Sequence, residues 1–170
     1  MAHYYYLTSE GEDTNLQLYS FRQAKRHWRE LCDEYERFGE DAENLTERCV
    51  FVLATLGLSI SQLLGQNNPN VQKDVPYPIG VFSDFVDAHG LDPSLKNEFK
   101  RFNYFYNGCR HFGRTTSGKG YRGIDELTFQ TAKECYEFGL KVWRTVIRVY
   151  DREEEADLEE FIEEHLDGRT

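Results

Sequence analysis

The stretch "CVFVLATLGLSISQLL", Cys49 to Leu64, decides the fold. It is the most apolar run in the chain, and it admits two readings, a membrane span or a helix at the centre of a soluble domain. A span needs about 20 predominantly apolar residues. This run has 16, and Thr55, Ser59, Ser61 and Gln62 interrupt it. Leu45, Cys49, Val52, Leu56, Ile60 and Leu63 recur at spacings of three and four, the repeat of a helix with one buried face. The reading is a core helix over Ala42–Leu64 and no membrane association.

On either side the sequence keeps giving helix signals. Ser20 followed by Gln23 has the form of a capping box and opens a helix to about Phe38. Before it, "HYYYLT" and "NLQLYS" around the polar turn "SEGEDT" read as a possible short N-terminal β-hairpin. After the core helix, "GQNNPNVQKDVPYP" is a polar loop with proline breaks. A short helix over Ile79–Ala88 then stops at His89-Gly90. Asp92-Pro93 is a strong helix start, an N-cap aspartate followed by proline at the first helical position. Leu95, Phe99, Phe102, Tyr106 and Cys109 form the apolar stripe of that helix, and Gly113 is placed to end it. A glycine-rich loop leads to a long helix over Leu127–Tyr150, with Leu127, Thr131, Cys135, Phe138, Val142, Val146 and Val149 on one face. Residues 151–170 place Leu158, Phe161, Ile162 and Leu166 on the narrow stripe of an acidic, amphipathic C-terminal helix. With no repeat and no second core, the expectation is an all-α, up-and-down bundle of four to five main helices over residues 1–150, followed by the acidic helix.

Composition narrows the function. A chain of 170 residues that is 39% hydrophobic and 15% aromatic is not disordered throughout. The start "MAHYYYLTSEGED" has no basic region before an apolar one, so no secretory signal is expected and the location reads as cytoplasmic. Cys32, Cys49, Cys109 and Cys135 are scattered through apolar helices, the pattern of buried reduced thiols and not of disulfides or zinc ligands. The net charge is −10, unevenly spread. Residues 93–123 hold seven bases (Lys96, Lys100, Arg101, Arg110, Arg114, Lys119, Arg122) against one acid, Glu98, for +6. Residues 151–170 hold ten acids and two arginines, for −8. Indiscriminate nucleic-acid binding is excluded, and one basic surface is left as a candidate, with the acidic tail as a segment able to screen it.

That surface centres on "RFNYFYNGCRHFG", Arg101 to Gly113. At about 100° per residue, Lys96, Lys100, Asn103, Asn107, Arg110 and His111 share a face away from the apolar stripe. Asn107 lies one turn before His111, where an amide can fix an imidazole's orientation and tautomer. Arg110 supplies a permanently charged fork suited to phosphate, and Arg114, Lys119 and Arg122 follow in the loop. Such a set fits metal-independent RNA cleavage, with a histidine moving protons and an arginine stabilising the charge on phosphorus. It equally fits a helix end at which cations oppose the dipole. The acids between Glu30 and Glu43 (Asp33, Glu34, Glu36, Glu40, Asp41) read as a solvated face and not as a magnesium site, and "TSGKG" lacks P-loop spacing.

The six residues "YNGCRH", on a bundle helix followed by a loop and a long final helix, resemble the motif of the HEPN superfamily. Its members are small helical domains, many of them metal-independent ribonucleases of toxin–antitoxin, CRISPR and abortive-infection systems. The family motif is an arginine, four to six residues and a histidine, often with asparagine directly after the arginine. Asn107 matches that asparagine and His111 the histidine, while Tyr106 stands where the arginine belongs. The resemblance implies a homodimer, no cofactor, and RNA or a protein partner such as an antitoxin or defence subunit. It leaves two expectations. One is an endoribonuclease using His111, Asn107 and Arg110, with Lys96, Lys100, Asn103, Arg114, Lys119 and Arg122 along the RNA. The other is a catalytically inactive dimerising or regulatory module.

Overall fold

The structure, a computed structural model, describes residues 16–66, 78–111 and 127–150, and these are all-α. Five helices follow in order: α1 Leu16–Phe38, α2 Leu45–Gln66, α3 Pro78–Ala88, α4 Ser94–His111 and α5 Phe129–Tyr150.

Contacts between named residues fix the directions. Ser20 meets Gln62 and Glu34 meets Arg48, so α1 and α2 form an antiparallel hairpin. Phe21, Trp28 and Tyr35 meet Trp143, Tyr136 and Phe129 in reverse order, so α1 and α5 are antiparallel. Glu98 and Arg101 meet Lys141 and Glu134, which sets α4 antiparallel to α5. Helices α1, α2, α4 and α5 therefore run up, down, up and down, and the short α3 packs on α2 and α4.

Helix α2 is the hub and touches each of the other four helices. Its predicted stripe is the core: Cys49, Val52, Leu56, Ile60 and Leu63 are all buried, and Leu45 is partly so. Among the described residues it is the one helix long and apolar enough to cross a membrane, and 61% of that stretch is buried by its neighbours. Ser59, inside it, answers a polar group of α5. The fully buried Trp143 indole donates to Ser59 Oγ at 3.0 Å, and Ser59 donates to the Leu56 carbonyl at 3.0 Å, so no polar group of that pair is stranded.

Two glycines carry the close approaches. A Cβ on Gly57 would lie 2.2 Å from the Tyr106 ring of α4, and one on Gly139 would lie 2.5 Å from the Leu56 side chain. Backbone thus comes within reach of a ring at one contact and of a branched side chain at the other. Gly90, at φ +61°, ends α3: its N–H reaches the Asp87 carbonyl and the Leu91 N–H reaches that of Val86, a Schellman stop at the predicted His89-Gly90.

Several predicted boundaries are corrected. Leu16–Ser20 belong to α1, so "NLQLYS" is not a hairpin strand, and residues 1–15 lie outside the described residues. Ser20 is not an N-cap: it is buried inside the helix and donates to Gln62 Oε1 at 2.9 Å, a tertiary bond replacing the local one. Helix α2 begins at Leu45, after a 3-10 turn over Gly39–Asp41, and not at Ala42. Helix α5 begins at Phe129, where Thr128 Oγ1 accepts the Thr131 N–H at 3.1 Å. Its buried face is wider than the expected one: Leu127, Cys135, Val142 and Val146 of the predicted stripe are buried and Thr131 is half-exposed, and Tyr136, Trp143 and Ile147 are buried as well. The acidic segment 151–170 lies outside the described residues.

Candidate functional site

Helix α4 positions the candidate residues, and its start is well made. The Asp92 carboxylate accepts the Ser94 N–H at 2.9 Å, and this bond holds its pKa below the ordinary carboxylate value. From there the predicted stripe goes inward. Leu95, Phe99, Phe102, Tyr106 and Cys109 are all buried, with Phe82 of α3 stacked on Phe99 at 4.5 Å.

The polar residues of α4 divide among its neighbours. Lys96 pairs with Asp87 of α3 at 2.5 Å. Arg101 pairs with Glu134 of α5 at 2.6 Å, and Glu98 with Lys141 at 3.0 Å. Lys96 of the predicted basic face and Arg101 of the basic segment therefore each have an acidic partner on a neighbouring helix, which weakens the expectation of a continuous basic track. Lys100 is exposed, and Asn103 and Asn107 are half-buried. The helix continues through Arg110 and His111, so Asn107 and His111 sit one turn apart on unbroken helix. Arg114, Lys119, Arg122 and Gly113 lie outside the described residues.

Tyr106, at the motif's arginine position, is a core residue. It is 5% exposed, lies with its ring over Gly57 and stacks on Phe102 at 6.1 Å. A side chain leaving the backbone at this position enters the α2–α4 seam and points away from any phosphate in solvent.

A feature the sequence reading missed is a cleft of 190 Å³ between α4 and α5, lined by Glu98, Arg101, Phe102, Glu134, Cys135 and Phe138. Three charged residues of its lining are paired at the surface, Arg101 with Glu134 across the cleft and Glu98 with Lys141. Burial pushes the Cys135 thiol up to about 12, so it is protonated at neutral pH and is a poor nucleophile. The same holds for Cys49 and Cys109, each raised to about 12 by burial. The signal for the rim was present in the i, i+3 spacing of Glu98 and Arg101 and the i, i+7 spacing of Glu134 and Lys141, but pairing them needed the α4–α5 register.

The acidic α1–α2 junction is also engaged. Arg48 lies 3.6 Å from Glu34 and 4.0 Å from Glu30, and Tyr35 donates to Glu40 at 2.9 Å. No group of three or more candidate ligands that could hold a metal ion occurs among the described residues.

No family model, no curated protein and no solved structure matches the chain.

Proposed function

We propose that the protein is a HEPN-like interaction module, a dimerising or regulatory subunit of a defence or toxin–antitoxin system, in which the ribonuclease site has lapsed. The observation that carries this reading is Tyr106. The motif needs a cation at that position, and here the side chain is an aromatic ring built into the core against Gly57. The Lys96–Asp87 pair supports the same conclusion, since it gives one candidate RNA contact an acidic partner on α3.

The endoribonuclease is the second reading. What favours it is the half-buried Asn107 one helical turn before His111, with Arg110 in the same turn. One assay separates the two. Labelled single-stranded RNA is incubated in EDTA with the wild type and with His111→Ala purified in parallel. The module reading expects no difference between them. Cleavage by the wild type that leaves cyclic phosphate ends and disappears in the variant overturns it in favour of the enzyme.

A further inference from the structure

Helices α1 and α5 lie side by side and antiparallel, Phe21 against Trp143 and Trp28 against Tyr136. That pairing joins two segments of one charge. Residues 16–29 of α1 carry Arg22, Lys25, Arg26 and Arg29 and no acid, for +4. Residues 138–150 of α5 carry Lys141, Arg144 and Arg148 and no acid, for +3. Lys141 is held by Glu98 of α4, so the α1–α5 face rests on the other six. At about 100° per residue, Arg22, Lys25 and Arg29 share one side of α1, and Arg144 and Arg148 share one side of α5. The α1 row borders the seam: burial pushes the Tyr136 hydroxyl up to about 12, and the nearby Arg29 guanidinium pulls against it. Trp28 and Leu140, half-buried and packed on the core, lie between the rows. Lys25 is buried in this setting, and a buried ammonium needs an anion against it, which neither segment contains.

Residues 151–170 continue from the C-terminal end of α5, the end at which these cations stand. They carry ten acids against two arginines, unevenly spread: −6 over residues 151–160 and −2 over residues 161–170. A segment that turns back along the seam sets its more acidic half beside Arg22, Arg144 and Arg148. On the expected amphipathic helix, Leu158, Phe161 and Ile162 form a stripe, with Glu159 and Glu163 on one side and Asp157 and Glu164 on the other. That pattern matches the face, apolar over Trp28 and Leu140 and acidic toward the cations of both helices. The reach is sufficient. From Tyr150 back to the level of Arg29 is about 15 residues of helix, or about 22 Å, which a turn and a helix within residues 151–170 cover. The basic segment of α4 is less suited, since Lys96 and Arg101 already have acids against them on α3 and α5. We propose that the α1–α5 face is a docking surface, and that its occupant is the acidic segment 151–170 of the same chain. The proposal rests on this face and is independent of the histidine motif, so RNA cleavage does not test it.

The experiment is hydrogen exchange of the full chain read by mass spectrometry, with circular dichroism as the check on folding. Amides of residues 153–167 are expected to exchange at least about tenfold slower at low salt than at about 1 M salt, where charges are screened beyond about 3 Å. The same loss of protection is expected at low salt in Arg29→Glu/Arg148→Glu, which changes two exposed side chains and no core residue. Carbodiimide coupling, which joins an ammonium to a carboxylate in contact with it, then identifies the surface. The expected product links Lys25 to a carboxylate of residues 153–167 within one chain. Amides of the segment that exchange at the unprotected rate at low salt overturn the proposal. So does protection that survives the charge reversal, which places the segment on another face. Links from the segment to Lys96 or Lys100 of α4 in place of Lys25, links from Lys25 to the acids of residues 1–15, or links formed only between chains overturn it as well.

Discussion

Helix α5 is held on two sides by opposite means. Toward α2, the contact is made by leaving atoms out: Gly139 has no side chain where Leu56 arrives, and Gly57 does the same for Tyr106 in the neighbouring α2–α4 seam. Toward α1, the space is filled by the largest side chains available. Tyr35 lies flat on Phe129 at 3.8 Å, and Trp28 stacks on both Phe129 at 5.7 Å and Tyr136 at 4.8 Å. Interaxial distance follows the side chains at the contact. Where those are hydrogens the backbones close and any added atom collides, and where they are stacked rings the damage comes from taking atoms away. The glycine seams should therefore punish insertion and the aromatic seam deletion.

The severest test inserts a charge. Tyr106→Arg restores the motif residue of the HEPN resemblance, yet it places a guanidinium among Phe102, Gly57 and the α2 core. Leaving a cation buried without a partner costs several kcal/mol, and a loss of at least about 4 kcal/mol is expected in urea titration. A variant that stays as stable as the wild type and binds RNA breaks the comparison, because it shows that the seam opens to solvent at that residue.

Next comes deletion on the other side. Trp28→Ala removes the ring that bridges Phe129 and Tyr136, and about 3 kcal/mol is expected, the lower end for such truncations because Trp28 is half-buried. Trp28→Phe keeps a stacked ring and should recover most of that loss in the same titration. Equal losses in the two variants mean that it is the indole's contacts and not the stack that hold α1 to α5.

A methyl group at Gly57 is a smaller perturbation with a more telling sign. The overlap with Tyr106 costs about 3 kcal/mol, against which alanine gains about 1 kcal/mol over glycine within a helix, so a net loss of about 2 kcal/mol is expected. Repeated in a Tyr106→Val background, the ring is gone and Gly57→Ala should become stabilising. A double-mutant cycle reads this change of sign directly, and additive effects rule out the proposed contact.

These seams also show where sequence reasoning stops. The stripes of α2 and α4 were legible because a buried helical face repeats every three to four residues whatever it packs against. The stops and starts at Gly90 and Asp92 were legible because capping is local. Ser20 misled for the complementary reason: a serine followed by Gln23 has the form of a cap, but Gln62, 42 residues away, holds its hydroxyl. The widening of the α5 face to take in Tyr136 and Trp143 depends on what α1 and α2 present to it. Likewise, Lys96 and Arg101 counted as free positive charge until Asp87 and Glu134 were beside them. Tyr106 was recognisable as a stripe residue and as a departure from the motif. That one fact explains the other needed Gly57, 49 positions earlier, to be its neighbour.

The smallest effect is at the start of α4, where the cap works by charge and not by packing. The Ser94 N–H holds the Asp92 carboxyl below its ordinary pKa of 3.8, and Lys141 adds to the shift. A carboxylate whose folded pKa lies below its unfolded value contributes stability above the unfolded pKa, near 3.9, and loses it as pH falls through the folded value. Asn in this place still accepts the Ser94 N–H but carries no charge and does not titrate. Asp92→Asn is therefore expected to be less stable than the wild type at pH 6, with the difference shrinking as pH falls below 3.8. A carbon-detected NMR titration should find the Asp92 carboxyl titrating below 3.8. If the two proteins differ by the same amount above and below pH 3.8, the charge contributes nothing and the cap is geometric alone. Its action would then match that of Thr128 on α5, a neutral hydroxyl serving the same turn of helix.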